Sequence, residues 1–150
     1  MSYKKILCLI EHEENSRAAF EAAAQLARES HGTLYLIHVV PVSTSIVSES
    51  VLLNDRERAQ NAMHRIAAQL PATQSRVTIV RFGNPAHEIT AVARRIGADL
   101  IVMGTHERPM IARLFQGSVA EKVVADAPCP VLTLPADGVA EALETASQAA

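Results

Sequence analysis

The chain has 150 residues, 49% of them hydrophobic and 20% charged, with a formal net charge of −2 at pH 7. Such values fit one globular domain large enough to bury a core. They exclude a nucleic-acid-binding face, which needs concentrated positive charge, and no apolar run approaches the roughly 18–20 residues of a membrane span.

The opening Met-Ser-Tyr-Lys-Lys-Ile-Leu leads into a strand pattern rather than a secretory leader, so a cytoplasmic protein is expected. With 3% aromatic residues the core must be aliphatic. Cys8 and Cys129 both sit in or beside apolar runs and read as two buried thiols rather than a disulfide or redox pair.

Lys5 to Ile10 reads as a buried strand, followed by an acidic turn over Glu11 to Glu14. Asn15 or Ser16 is placed to cap a first helix running to about Ser30, with Phe20, Ala23, Ala24, Leu26 and Ala27 as its apolar stripe. His31-Gly32 ends that helix, with Gly32 expected in the left-handed position after it. Thr33 to Val40 is a second strand stopped by Pro41.

Residues 42–50 lack periodicity and read as a loop. A second helix follows over about 52–70, with Leu53, Ala59, Met63, Ile66 and Leu70 on one face. Arg76 to Phe82 alternates, setting Val77 and Ile79 against Thr78 and Arg81, which suggests a strand near a sheet edge. Asn84 as N-cap and Pro85 in the first turn open a third helix that ends near Gly97.

Leu100 to Met103 is a short, wholly apolar run, the mark of a strand buried on both faces of a parallel sheet. Gly104 is expected to stop it. Gly117-Ser118 then opens a fourth helix to about Ala125, with Ser118 as N-cap and Glu121 at the capping-box position. A strand end, a loop and a fresh helix N-terminus make an anion cradle of main-chain N–H groups, aided by the helix dipole. Pro128-Cys129-Pro130 forms a turn before a last strand, Val131 to Leu134, and residues 137–150 form an Ala- and Glu-rich tail expected to be frayed or weakly helical.

Strands and helices therefore alternate throughout residues 1–136, which predicts an α/β fold: one domain, a five-stranded parallel sheet and helices on both faces. Ligands of such sheets bind beyond the carboxyl ends of the strands where the winding reverses. The first and fourth strands, ending at Glu11 and Gly104, are the expected neighbours across that point.

Several blocks together resemble the universal stress protein family over essentially the first 135 residues. They are Tyr3-Lys-Lys-Ile-Leu7, Glu14-Asn-Ser-Arg-Ala-Ala19, Leu36-Ile-His-Val-Val40, Gly83-Asn-Pro-Ala-His-Glu-Ile89, Ala98-Asp-Leu-Ile-Val-Met-Gly-Thr-His106 and Gly117-Ser-Val-Ala-Glu-Lys-Val-Val-Ala-Asp-Ala-Pro-Cys-Pro-Val-Leu132. The resemblance implies a flavodoxin- or Rossmann-like sheet of the adenine nucleotide alpha hydrolase type. It also implies a homodimer joined through Val131 to Leu134, and a part in stress response rather than catalysis. Some members bind ATP through a glycine, two residues, a second glycine, nine residues and Gly-Ser or Gly-Thr.

Gly104 and Gly117-Ser118 match the outer positions of that pattern, but the middle glycine is Glu107. The binders' aspartate after the first strand is Glu11, followed by His12 and Glu13 where small residues are usual. The resemblance implies that Glu11 meets the ribose and the Val39 main chain lies near adenine. The phosphates, with Mg²⁺, would lie against Gly104, Thr105, Glu107, Gly117, Ser118 and Val119. A carboxylate about 4–6 Å from a phosphate oxygen repels by roughly 3–4 kcal/mol at an effective dielectric of 20 before screening. That is about two orders of magnitude in affinity. Two readings stay open: a dimer with a weakened ATP or anion site, and a nucleotide-free dimer acting through protein contacts.

Glu11, His12, Glu13, His106 and Glu107 superficially resemble a His/carboxylate metal set, but their spacing follows no ligand motif and they read as solvated loop side chains. His38, His64 and His87 read as structural or surface residues, and Arg94-Arg95 as a solvated helix end. No nucleophile elbow or Walker sequence occurs, and Ser118 suits a cap better than a nucleophile.

Overall fold

The computed structural model describes residues 2–11, 13–42, 48–105 and 119–135, without the side chains of residues 13–15. Side chains alternate along a strand, and in β1 (Lys5–Leu9) and the residue after it both sets are apolar. Ile6, Cys8 and Ile10 enter one core while Leu7 and Leu9 enter another, all of them buried. A strand apolar on both faces has to sit mid-sheet with helices above and below.

The order is β3-β2-β1-β4-β5, with every pairing parallel. Its strands are β1, β2 (Thr33–Val40), β3 (Arg76–Phe82), β4 (Leu100–Thr105) and β5 (Val131–Pro135). Helices α1 (Glu13–Glu29) and α2 (Glu49–Ala67) cover the face carrying Ile6, Cys8, Leu34, Leu36, Leu100 and Val102. Helices α3 (Pro85–Ile96) and α4 (Val119–Asp126) cover the face carrying Leu7, Ile37, Ile101 and Met103. The five-stranded parallel α/β fold read from the sequence is the fold observed. β3 lies at an edge as its alternation implied, although Val77 is 42% exposed rather than covered.

The caps explain where the helices stop and start. Asn84 accepts a hydrogen bond from the His87 N–H (3.1 Å) at the start of α3, and Gly97 (φ +68°) ends it with the Ala98 N–H reaching the Ala93 carbonyl at 2.9 Å.

At the end of α1 the left-handed residue is His31 (φ +50°), not Gly32. The His31 N–H donates to the Arg28 carbonyl and the Gly32 N–H to the Ala27 carbonyl, a Schellman pair shifted by one residue from the expected position. Gly32 is required for another reason: a Cβ there would run into the carbonyl oxygens of Tyr3 and Lys4, where the chain crosses the start of β1.

Other boundaries also move. α1 begins at Glu13, so Asn15 and Ser16 lie inside it, and the buried Ser16 hydroxyl instead serves the turn before the helix. α2 begins at Glu49 and ends at Ala67, so Leu70 packs in the first core from the turn that follows. Gly104 does not stop β4: it pairs with Leu134, and β4 continues to Thr105. Cys8 is buried as expected, but Cys129 is half-buried; both are free thiols. Of the loop expected over residues 42–50, residues 49 and 50 belong to α2 and residues 43–47 lie outside the described residues, as do the Ser118 cap and the tail.

Candidate functional site

The strand ladders are uneven in length, and that unevenness opens a crevice. β1 pairs with β4 from Ile6↔Leu100 to Cys8↔Val102, whereas β4 goes on pairing with β5 through Thr105↔Pro135. On the other side β1 pairs with β2 as far as Leu9↔Ile37, while β2 goes on with β3 to Val40↔Phe82. β1 therefore ends short of both neighbours. β2 and β4 also lead to helices on opposite faces, so this is where the winding reverses. Glu11, Val39, Gly104 and Thr105 gather around this gap, each beyond the last β1 pair.

The turn leaving β1 is held at each main-chain group in succession. The Ile10 N–H donates to the Ile37 carbonyl (2.8 Å), the Ile10 carbonyl accepts from His38 Nδ1 (2.7 Å), and the Glu11 N–H donates to Ser16 Oγ (2.8 Å). Glu11 is half-buried. Across the gap, Thr105 Oγ1 donates to the Leu134 carbonyl at 3.4 Å, a long bond that tethers the end of β4 to β5. The Val39 side chain is buried in the second core, so a ligand near it would meet main chain.

Behind the turn, on the α1 and α2 face, lies a cleft of about 130 Å³ lined by Ile10, Ser16, Arg17, Phe20, Ile66 and Gln69. The arrangement can cradle a small polar ligand at the strand ends, and it presents no nucleophile with an adjacent base among the described residues.

Glu107, Gly117, Ser118, His12 and His106 lie outside the described residues, so the structure brings together Glu11, Val39, Gly104 and Thr105 from the expected set. Val119 opens α4, half-buried beside the second core. Two residues at the site were not assigned there from the sequence: Ser16, read as a helix cap, and His38, read as structural or surface. A signal for His38 exists in strand parity, since it shares the face of Leu34 and Leu36, next to the end of β1.

Neither thiol is set up to react. Burial pushes Cys8 up to about 12, and burial followed by the Asp99 carboxylate pushes Cys129 up from its ordinary value.

The family model described as "Universal stress protein family" matches residues 2–135. The chain belongs to the universal stress protein family. A universal stress protein A homologue of Coxiella burnetii is 34% identical over 144 residues, covering 89% of this chain and 95% of the relative. A solved universal stress protein family structure from Burkholderia pseudomallei is 30% identical. It superposes with a TM-score of 0.71 over 89% of this chain and 96% of that one. The universal stress protein of Archaeoglobus fulgidus in complex with dAMP shares the fold at a TM-score of 0.63 and 20% identity, over 89% of this chain and 98% of its own. No helix among the described residues of this universal stress protein is long and apolar enough to cross a membrane.

Proposed function

We propose that this universal stress protein receives an adenine nucleotide, or another small anion, in the crevice where β1 ends short of β2 and β4. It acts in the cytoplasm as a homodimer, through binding and protein contacts rather than through catalysis. The observation that carries this reading is the early end of the β1–β4 ladder at Cys8↔Val102, with Glu11 on one side of the opening and Gly104 and Thr105 on the other. The Archaeoglobus fulgidus relative bound to dAMP supports a nucleotide as the ligand class.

In this reading Glu11 meets the ribose and the Val39 main chain the adenine. The N–H groups of Gly104, Thr105, Glu107, Gly117, Ser118 and Val119, with the Ser118 hydroxyl, meet the oxygens of the phosphates, which carry Mg²⁺. Glu107 stands where ATP binders carry glycine, and its charge weakens the site through the repulsion estimated above. The dimer forms through Val131 to Leu134, because β5 is an outer strand with half-buried Val131 and Leu132 and such an edge needs covering.

Isothermal titration of nucleotide-stripped protein with ATP and Mg²⁺ tests the reading. Binding is expected to be weak, and Glu107→Gly is expected to tighten it by about tenfold or more. Heat absent at millimolar ATP in both proteins would leave the rival: a nucleotide-free dimer that works only through protein contacts.

A further inference from the structure

We propose that His38 is a positioning residue for the nucleotide crevice: its Nδ1–H holds the Ile10 carbonyl and thereby sets the turn that carries Glu11. The nucleotide part of this inference rests on the function proposed above; the part concerning the turn stands on the geometry alone.

A carbonyl oxygen can only accept, so the 2.7 Å contact between His38 Nδ1 and Ile10 requires the proton on Nδ1. The neutral ring is then locked in the Nδ1–H form, with Nε2 left as the acceptor. Ile10 is 4% exposed, as is Ser16, so water has little access to replace a lost partner. Beyond Leu9↔Ile37 the β1–β2 ladder gives way to a single further bond, from the Ile10 N–H to Ile37. The Ile10 carbonyl then accepts from the His38 side chain, and Ser16 accepts from the Glu11 N–H at 2.8 Å.

One long-range tie, from His38, and one local tie, from Ser16, thus replace the ladder at the point where β1 must part from β2 to leave room for a ligand. The His38 tie spans 28 residues of sequence and pins β1's exit to a strand that is itself paired on both sides. Anything bound against Glu11 would inherit the position of this turn.

The test uses the full chain. Nitrogen NMR of the histidine rings is expected to show a proton on His38 Nδ1, and the Nδ1–H tautomer wherever the ring is neutral. His38→Leu, which keeps apolar bulk and removes the donor, is expected to speed hydrogen exchange at the Glu11 amide by about tenfold. It should also weaken ATP–Mg²⁺ binding about three- to tenfold. His38→Asn carries its nitrogen on the same carbon as Nδ1 and is expected to restore both, which a role in packing alone would not produce. An Nε2–H tautomer, unchanged Glu11 exchange in His38→Leu, or an Asn variant no better than Leu would each overturn the proposal. If the unmodified chain binds no ATP, the nucleotide reading falls, and the tautomer and exchange measurements still decide the role of His38.

Discussion

The two ends of the sheet are built to opposite specifications. At the amino end of the strands the chain is stitched shut. The Asp99 carboxylate accepts from the main-chain N–H groups of Lys4 (2.9 Å) and Lys5 (3.2 Å), and the Asp99 N–H returns a bond to the Lys5 carbonyl. Lys5 Nζ donates to the Ile96 carbonyl and Lys4 Nζ to that of Ser30, while the Tyr3 N–H donates to the Ser30 hydroxyl. Thr33 and Ser75 meet through their hydroxyls, and Arg76 spans the carbonyls of Leu70 and Pro71.

At the carboxyl end β1 stops short of its neighbours, and the turn and strand ends are held by the side chains of His38, Ser16 and Thr105 together with main-chain bonds from Ile10 to Ile37 and from Gly83 to Val40. A parallel sheet with both faces covered has only its ends left for function. Here the closed end is densely hydrogen-bonded, and the open end forms the crevice in which a nucleotide is proposed to bind.

Substitutions can break this contrast, and the largest effect is expected at the closed end. Gly32→Ala puts a Cβ into two fixed carbonyl oxygens and should destabilise the fold by about 3 kcal/mol, read as a lower denaturant midpoint at unchanged slope. A loss below about 1 kcal/mol would mean that this crossing can open, and that the amino end is less rigid than its bonding suggests.

Asp99→Ala comes next. It removes the acceptor of two exposed main-chain N–H groups, which water can partly replace, and should cost about 1 kcal/mol while leaving ligand affinity at the far end unchanged. A shift in ATP affinity with this variant would show that the two ends are coupled.

A pH-dependent test sharpens the contrast by adding the middle of the sheet. The Cys8 pKa is raised in the fold, from 9.0 to about 12, so the folded state holds its proton more tightly than the unfolded chain. Its contribution is fully present below pH 9 and is lost as pH rises towards 12, at most about 1.4 kcal/mol per pH unit. Cys8→Ala should flatten that alkaline decline, and in the parent protein a thiol reagent at pH 8 should label Cys129 slowly and Cys8 only on unfolding. Rapid labelling of Cys8 in the native protein would show that the centre of the sheet opens to solvent.

Much of this architecture was legible in the order of residues. The wholly apolar Leu100 to Met103 announced an internal parallel strand, Asn84-Pro85 and Gly97 bracketed α3, and the alternation of Arg76 to Phe82 placed β3 at an edge. Each of these depends on residues within a few positions of one another, because periodicity and capping act over one or two turns. The blocks shared with the universal stress proteins added the family and pointed to the carboxyl ends of β1 and β4.

What only the folded chain decided concerns groups far apart in sequence, with the Glu11–Ser16 pair a local exception. Gly32 reads locally as a helix terminator, yet the left-handed conformation falls on His31 and the glycine is spent on clearance from Tyr3 and Lys4. Asp99 and Lys4 are 95 positions apart, and nothing near either one announces that carboxylate's hold on the start of β1. Ser16 looks like a helix cap until the Glu11 N–H is seen to use it, and His38 looks like any half-buried strand histidine until strand register sets its ring against the Ile10 carbonyl. The elements themselves follow from short-range backbone chemistry. Which of their ends is locked and which is left open follows from strand order and register, and these exist only once the sheet has assembled.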